Sequence, residues 1–341
     1  MDGPRDATAM TVDELESFLC IAELGGFTEA SRVLGRSQPA ISRRIHQLEQ
    51  SLGAALFERV ARRTSLTEAG RALLPHAEAA LAAMRDGERA VRDLARQSSG
   101  APPTLHLALV GTLADSHIVD ALRAFESRFP DAAVELRTAT SREVSALVRS
   151  GQFALGIRYF PDSDARLESI VLGRERLFVV VPASHRVAAR RLRDLRQLAG
   201  ERWLGFPPDR GQPDSFGDLL RRELLACGLA SPTITSVDSL TAQKRLIQAG
   251  LGIGIMPNSS VREEIAIGSL RLIEVASLKA ELPVVAVQRR DGRRTRLARD
   301  FLDLLREFMP ALRRAPPAAA RRRSRSRPRA RRRRGAPRPA R

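Results

Sequence analysis

The sequence has little of what most metal sites, disulfide frameworks and hydrolytic centres are built from. In 341 residues there are two cysteines, five histidines, one tryptophan and one tyrosine. Cys20 and Cys227 lie far apart and make no metal-ligand spacing. They read as reduced structural thiols, with a redox switch as the alternative. The histidines are scattered, and there is no HExxH, no P-loop and no paired-carboxylate motif. Gly250, Gly252 and Gly254 precede an apolar strand rather than joining a strand to a helix, so they are not a dinucleotide fingerprint. No enzyme activity, metal or cofactor is therefore expected. No run approaches the ~18 apolar residues that would span a membrane. Met1 to Met10 is polar and has no apolar signal core. A cytoplasmic location without membrane association is expected, and Met10 is an alternative start.

Lysine is scarce and arginine abundant. The formal net charge is +18, but fourteen arginines and no acidic residue fall in residues 311–341, leaving only +4 for the rest. High charge is thus mainly a property of a tail of Arg, Pro, Ala and Ser without periodicity, which is expected to be disordered. That tail either adds non-specific, salt-dependent attraction to DNA or is a dispensable solvated extension.

What remains reads as two or three units. Residues 1–67 predict a compact helical unit ending in a short hairpin. Its first helix, Val12 to Leu24, carries a stripe of Leu15, Phe18, Leu19 and Ala22 and stops at Gly25-Gly26. Thr28 is expected to cap a second helix with Ala30, Val33 and Leu34 inward. After the tight turn Gly35-Arg36-Ser37, a third helix buries Ile41, Ile45 and Leu48. The layout is that of a helix-turn-helix. The third helix's other face presents Gln38, Ser42, Arg43 and His46, with Pro39 in the first turn. Hydrogen-bonding side chains opposite an apolar back are what a recognition helix requires. Leu56–Arg59 and Thr64–Leu66 then read as two strands with Arg62 and Arg63 at their turn, a basic wing suited to phosphate or minor-groove contact. Pattern alone leaves open a three-helix unit with an ordinary solvated face.

Residues 68–103 predict one long helix and a hinge. Leu74, Ala77, Leu81, Met84 and Val91 form a seam, interrupted by Glu88 and weakened by Pro75 and Gly87. The seam serves either dimerisation or packing on its own chain. Residues 104–310 alternate short strands with amphipathic helices in a βαβαβ order, an α/β signature. Two subdomains are expected, one of about 104–174 plus 276–310 and one of about 175–275. Ligands in such sheets bind beyond strand carboxyl ends near helix starts. This places Thr112, Ser141, Phe206 and Ser239 at the mouth, where each is either a ligand contact or a helix cap. Small hydroxyls suit an anionic effector.

Leu15-x-x-Phe18, Gly26-Phe27-Thr28-x-Ala30, Ser37-Gln38-Pro39-Ala40-Ile41-Ser42, Leu48-Glu49, Leu52-Gly53, Leu56-Phe57-x-Arg59 and Leu66-Thr67-x-Ala69-Gly70 together resemble the signature of LysR-type transcriptional regulators. Leu246 to Pro257 resembles part of that family's effector domain. The resemblance implies an α+β multidomain protein. It would have an N-terminal winged helix-turn-helix, a linker helix, and an α/β effector domain of two periplasmic-binding-protein-like subdomains. It also implies DNA contact at Gln38, Pro39, Ser42 and Arg43 and backbone contact by the wing arginines; His46 is added from helical geometry. The expected partners are double-stranded promoter DNA, a small-molecule effector, a homodimer or homotetramer partner, and RNA polymerase. The family often has an Asp after its Gly-x-apolar unit, but here Gly151-Gln152-Phe153 is followed by Ala154, so no effector identity transfers. The alternative is a solute-binding or transport-associated α/β protein without a DNA role.

Overall fold

The computed structural model describes residues 10–60, 63–100, 102–114, 117–188, 191–208, 216–229, 232–292 and 295–309. The arginine-rich tail lies outside them. The described residues open with three helices, α1 (Val12–Leu24), α2 (Phe27–Val33) and α3 (Gln38–Leu52), and a hairpin, β1 (Phe57–Val60) and β2 (Arg63–Leu66). Thr11 and Glu14 close a capping box at the start of α1, satisfying N–H groups that a helix start otherwise leaves unpaired. Gly25 and Gly53 end α1 and α3 in the left-handed region, at φ 72° and 66°, where a side chain would be strained. The apolar faces of α1 and α3 meet around Phe18, Ile21, Ile41, Ile45 and Leu48, all at most 2% exposed. Phe57 of the hairpin is wedged against Phe18 and Phe27, with ring centres 5.4 and 5.8 Å away.

Two local expectations are corrected here. Gly26, not Thr28, precedes α2, and Thr28 lies inside the helix. Val33 is 68% exposed rather than inward, because α2 is only 7 residues long and ends there. Ser31 is buried in its place, its hydroxyl donating to the Thr28 carbonyl at 2.8 Å.

Helix α4 (Glu68–Ser99) runs for 32 residues from its Thr67 cap, through Pro75, to Gly100. Its seam divides along its length. Ala77 and Leu81 are buried in the core of the helical unit, whereas Met84 and Val91 are 46% and 66% exposed. A polar face of the same helix grips the following domain. Glu78 pairs with Arg149, at 2.9 Å, and with Arg166. Asp86 bridges Arg89 and Arg289. Arg85 and Arg89 donate to the carbonyls of Ser150 and Gln152 at 2.8 and 3.0 Å.

The α/β part holds β3 (Thr104–Val110), α5 (His117–Arg128), β4 (Ala133–Ala139), α6 (Ser141–Arg149), β5 (Leu155–Tyr159) and β6 (Leu167–Pro182). These are followed by β7 (Trp203–Gly205), α7 (Phe216–Ala226), β8 (Ile234–Ser236), α8 (Leu240–Gln248) and β9 (Ile253–Pro257). Helix α9 (Arg262–Ile267), β10 (Leu270–Ile273), β11 (Glu281–Arg289) and α10 (Arg296–Phe308) complete it. The strands order as β4-β3-β5-β11-β6-β9-β7-β8, with β10 also on β6. β3 is parallel to β4 and β5, as the βαβαβ pattern predicts, while β11 returns antiparallel between β5 and β6. Helix α10 packs beside α5, with Phe301 edge-on to Phe125 at 5.5 Å.

The shared strand β6 is the element the sequence reads least well. The apolar run Leu177–Val181 is only the second half of a 16-residue strand. Leu167–Arg176 pairs with β11, then Leu177–Val180 pairs with β9. The first half is masked in the sequence because alternation breaks at a register shift between Val284 and Val285 of β11, and because a buried residue there, Glu175, is charged.

Candidate DNA-binding surface and effector cleft

Gln38, Pro39, Arg43 and His46 are exposed on α3 and Ser42 is half-buried, directly opposite the buried Ile41, Ile45 and Leu48. Ser37 stands before the helix in extended backbone, yet its hydroxyl makes no cap bond. Pro39 in the first turn costs no hydrogen bond, because the first N–H groups have no intrahelical partner. His46 Nε2 lies 3.0 Å from Gln50 Nε2 one turn on, so Gln50 joins the row that periodicity singled out. Arg44 faces elsewhere and pairs with Asp13 of α1.

Glu49 fixes the hairpin to α3. Its Oε1 accepts from the backbone of Leu56 at 2.7 Å and of Phe57 at 3.4 Å. Thr67 closes the other side by donating to the Ala55 carbonyl at 2.6 Å. Val60 pairs with Arg63 at the end of the hairpin ladder. Arg63 begins β2, Arg59 on β1 is exposed, and Arg62 lies outside the described residues.

In the α/β domain the four expected mouth residues have different fates. Thr112 sits in the turn Gly111–Leu113 after β3, with its hydroxyl buried. Phe206 follows β7 and meets Phe216 edge-on at 5.5 Å; Phe216 in turn stacks on Tyr159 at 6.1 Å. Tyr159, Phe216 and Phe206 therefore form one run from the first lobe into the second. Ser141 is not a cap: Thr140 caps α6 in a capping box with Glu143, which leaves Ser141 as the first helical residue. Ser239 does cap α8, accepting from Ala242 N at 3.3 Å.

Sequence patterns missed the polar centre of this run. Tyr159 Oη donates to Glu175 Oε2 at 2.9 Å, and Ser259 Oγ donates to Glu175 Oε1 at 2.5 Å. Burial raises the Glu175 carboxyl above its ordinary value against the pull of those two hydroxyls. Burial, then the adjacent Glu175, pushes Tyr159 well up. Glu175 stands between Arg174 and Arg176 and looks like one member of a solvated charge run; no local signal marks it as buried.

The family description "Bacterial regulatory helix-turn-helix protein, lysR family" matches residues 12–71, and "LysR substrate binding domain" matches residues 98–310. The chain belongs to the LysR family. A LysR-type regulator is a DNA-binding transcription regulator with an effector-binding domain, and this chain carries both parts. It is 32% identical to the HTH-type transcriptional regulator TfdS of Cupriavidus pinatubonensis over 87% of this chain and 98% of that one. It is 26% identical to the HTH-type transcriptional regulator CitR of Bacillus subtilis, covering 86% and 98% respectively. The structure of full-length CbnR complexed with its target DNA superposes with a TM-score of 0.53 at 26% identity, covering 88% of this LysR-type chain and all of that one. Among the described residues no helix is long and apolar enough to cross a membrane.

Proposed function

We propose that α3 is the reading helix, lying in the major groove of promoter DNA with Gln38, Ser42 and Arg43 toward base edges. Pro39 and the open helix start face the phosphate backbone, His46 follows further along the groove, and Arg62 and Arg63 of the wing contact the backbone. The row of polar side chains opposite the Ile41, Ile45 and Leu48 back carries this reading. Two such helices must sit about one DNA turn, ~34 Å, or a multiple apart to read a two-fold site. The exposed half of α4, with Met84 and Val91, offers the surface on which a second copy would pair, giving a homodimer or, through the sensing domains, a homotetramer. A small anionic effector between the lobes, near Thr112 and Phe206, would shift the lobes by its differential affinity for two states. The shift would reach RNA polymerase through bound promoter DNA in the cytoplasm.

The test is a salt-titrated DNA shift assay on the full chain with the promoter beside its own gene. Arg43→Ala is exposed and should leave folding intact while weakening promoter binding by about 1–3 kcal/mol if it reads a base. Failure of the full chain to bind that promoter under any effector, or an unchanged affinity in Arg43→Ala, rejects the assignment.

A further inference from the structure

A cavity of about 560 Å³ lies between α5 on one side and α8, the turn Asn258–Val261 and α9 on the other. Thr112, Ser141, Phe206 and Ser239 do not line it. It lies beside those residues, where Ser259 and Ser260 follow β9 and Ala114 follows the turn after β3. Its wall is charged in balance: Asp120, Glu263 and Glu264 against Arg123, Lys244 and Arg262.

Among the described residues, two buried atoms there have no hydrogen-bond partner. One is Ser260 Oγ, on a residue only 1% exposed. The other is Glu264 Oε2, whose companion Oε1 is held by Lys244 Nζ at 3.0 Å. Buried polar atoms in folded proteins are nearly always paired, and each exception calls for a partner. The chemistry of that partner differs at the two atoms. A carboxylate oxygen only accepts, so Glu264 Oε2 needs a donor, best a cationic one. Ser260 Oγ can donate to an anion, and the exposed Arg262 guanidinium two residues on supplies the charge. The Arg262 charge is also felt on α5. After burial itself, it is the next cause holding the His117 imidazole on α5 below its ordinary value.

A plain anion would leave Glu264 Oε2 unmet, and a plain amine would leave Ser260 and Arg262 unmet. From this juxtaposition we infer that the cavity binds a small zwitterion of the α-amino-acid class, its ammonium on Glu264 Oε2 and its carboxylate on Ser260 Oγ and Arg262. The site touches the lobe junction as well: Ser259, also in its wall, holds Glu175. A zwitterion bound there would stabilise one spacing of α5 against α9.

The experiment is calorimetric titration of the full chain, without DNA, with each of the twenty standard L-amino acids in turn. At least one should bind saturably. Its decarboxylated amine and its deaminated acid should each bind roughly tenfold more weakly or less. Ser260→Ala and Arg262→Ala should each weaken binding by about tenfold while keeping the thermal midpoint of the free protein. Arg262 is exposed, so its variant tests the site without risk to the fold. Absence of any binder leaves water alone in the cavity and overturns the proposal. Equal binding of the deaminated acid overturns the zwitterion class, and binding unaffected by both variants overturns the location. No DNA is present, so none of these outcomes depends on how α3 reads a promoter.

Discussion

Tyr159 Oη and Glu175 Oε2 share a 2.9 Å hydrogen bond, and each residue is only 3% exposed. Tyr159 ends β5, in the first lobe. Glu175 lies on β6 two residues before that strand changes partner from β11 to β9. Its other oxygen is held by Ser259, from the turn after β9. One carboxyl thus joins both lobes where they share a strand. A buried carboxyl holding hydroxyls on both oxygens can specify one packing while costing free energy when charged.

The first prediction concerns that cost. The Glu175 pKa is raised in the fold by burial. Its contribution to stability is thus fully present below the unfolded carboxylate pKa and is lost as pH rises through the raised folded value. Glu175→Gln removes this titration. Thermal midpoints of the two proteins from about pH 4 to about pH 8 should diverge, with the glutamine variant gaining on the native protein as pH rises. Parallel curves would show that Glu175 does not titrate in this window.

The grip of α4 on the sensing domain has the opposite pH sign. Burial alone would raise Asp86, but hydrogen bonds and charge from Arg289 and Arg89 outweigh it and hold the carboxyl low. Arg166 likewise holds Asp164 low. Such stability is present above the ordinary carboxylate value and disappears as pH falls through the lowered one. Asp86→Asn should cost about 1–2 kcal/mol near neutral pH, allowing for solvent screening on its open side. In urea titrations the difference from the native protein should shrink in acid; a constant difference would mean that packing, not charge, is lost.

Two glycines should respond oppositely to alanine. A Cβ at Gly156 would fall 2.7 Å from Val144 Cγ1, 2.8 Å from Val287 Cγ2 and 2.9 Å from Val148 Cγ2. Gly156→Ala should destabilise by about 1–3 kcal/mol, the cost of overpacking a full core. Gly87 has nothing within 4 Å and sits inside α4, so Gly87→Ala should stabilise by about 0.5–1 kcal/mol. Denaturant midpoints decide both.

The capping assignment at α6 separates adjacent hydroxyls. Thr140→Ala should cost about 1 kcal/mol by removing the acceptor for Glu143 N. Ser141→Ala should stay within about 0.5 kcal/mol. The reverse order in chemical denaturation would restore Ser141 as the cap.

The legible parts of this chain are those set by neighbours close in sequence. The span Val12–Leu24 and the buried set Ile41, Ile45 and Leu48 follow from 3.6-residue spacing and glycine stops. Val33 and Thr28 were misplaced because a helix of two turns has too little periodicity to fix which side faces in.

The sequence by itself determined the DNA-reading unit: alternating apolar and polar faces on one helix allow only one of them inward, and the glycines say where the chain must turn. It also determined the βαβαβ order with which the sensing half opens. Only the tertiary structure decided what the charged residues do. Glu78, Asp86 and Glu175 look alike in the sequence as solvated acids. In the fold, two hold α4 to the sensing domain and the third is buried at the junction of the lobes. Their partners, among them Arg149, Arg166, Arg289, Tyr159 and Ser259, lie far along the chain, and the field at a carboxyl depends on which groups surround it in space. The split of the α4 seam between a buried and an exposed half was decided there too, because burial depends on what the helix packs against and not on its own period.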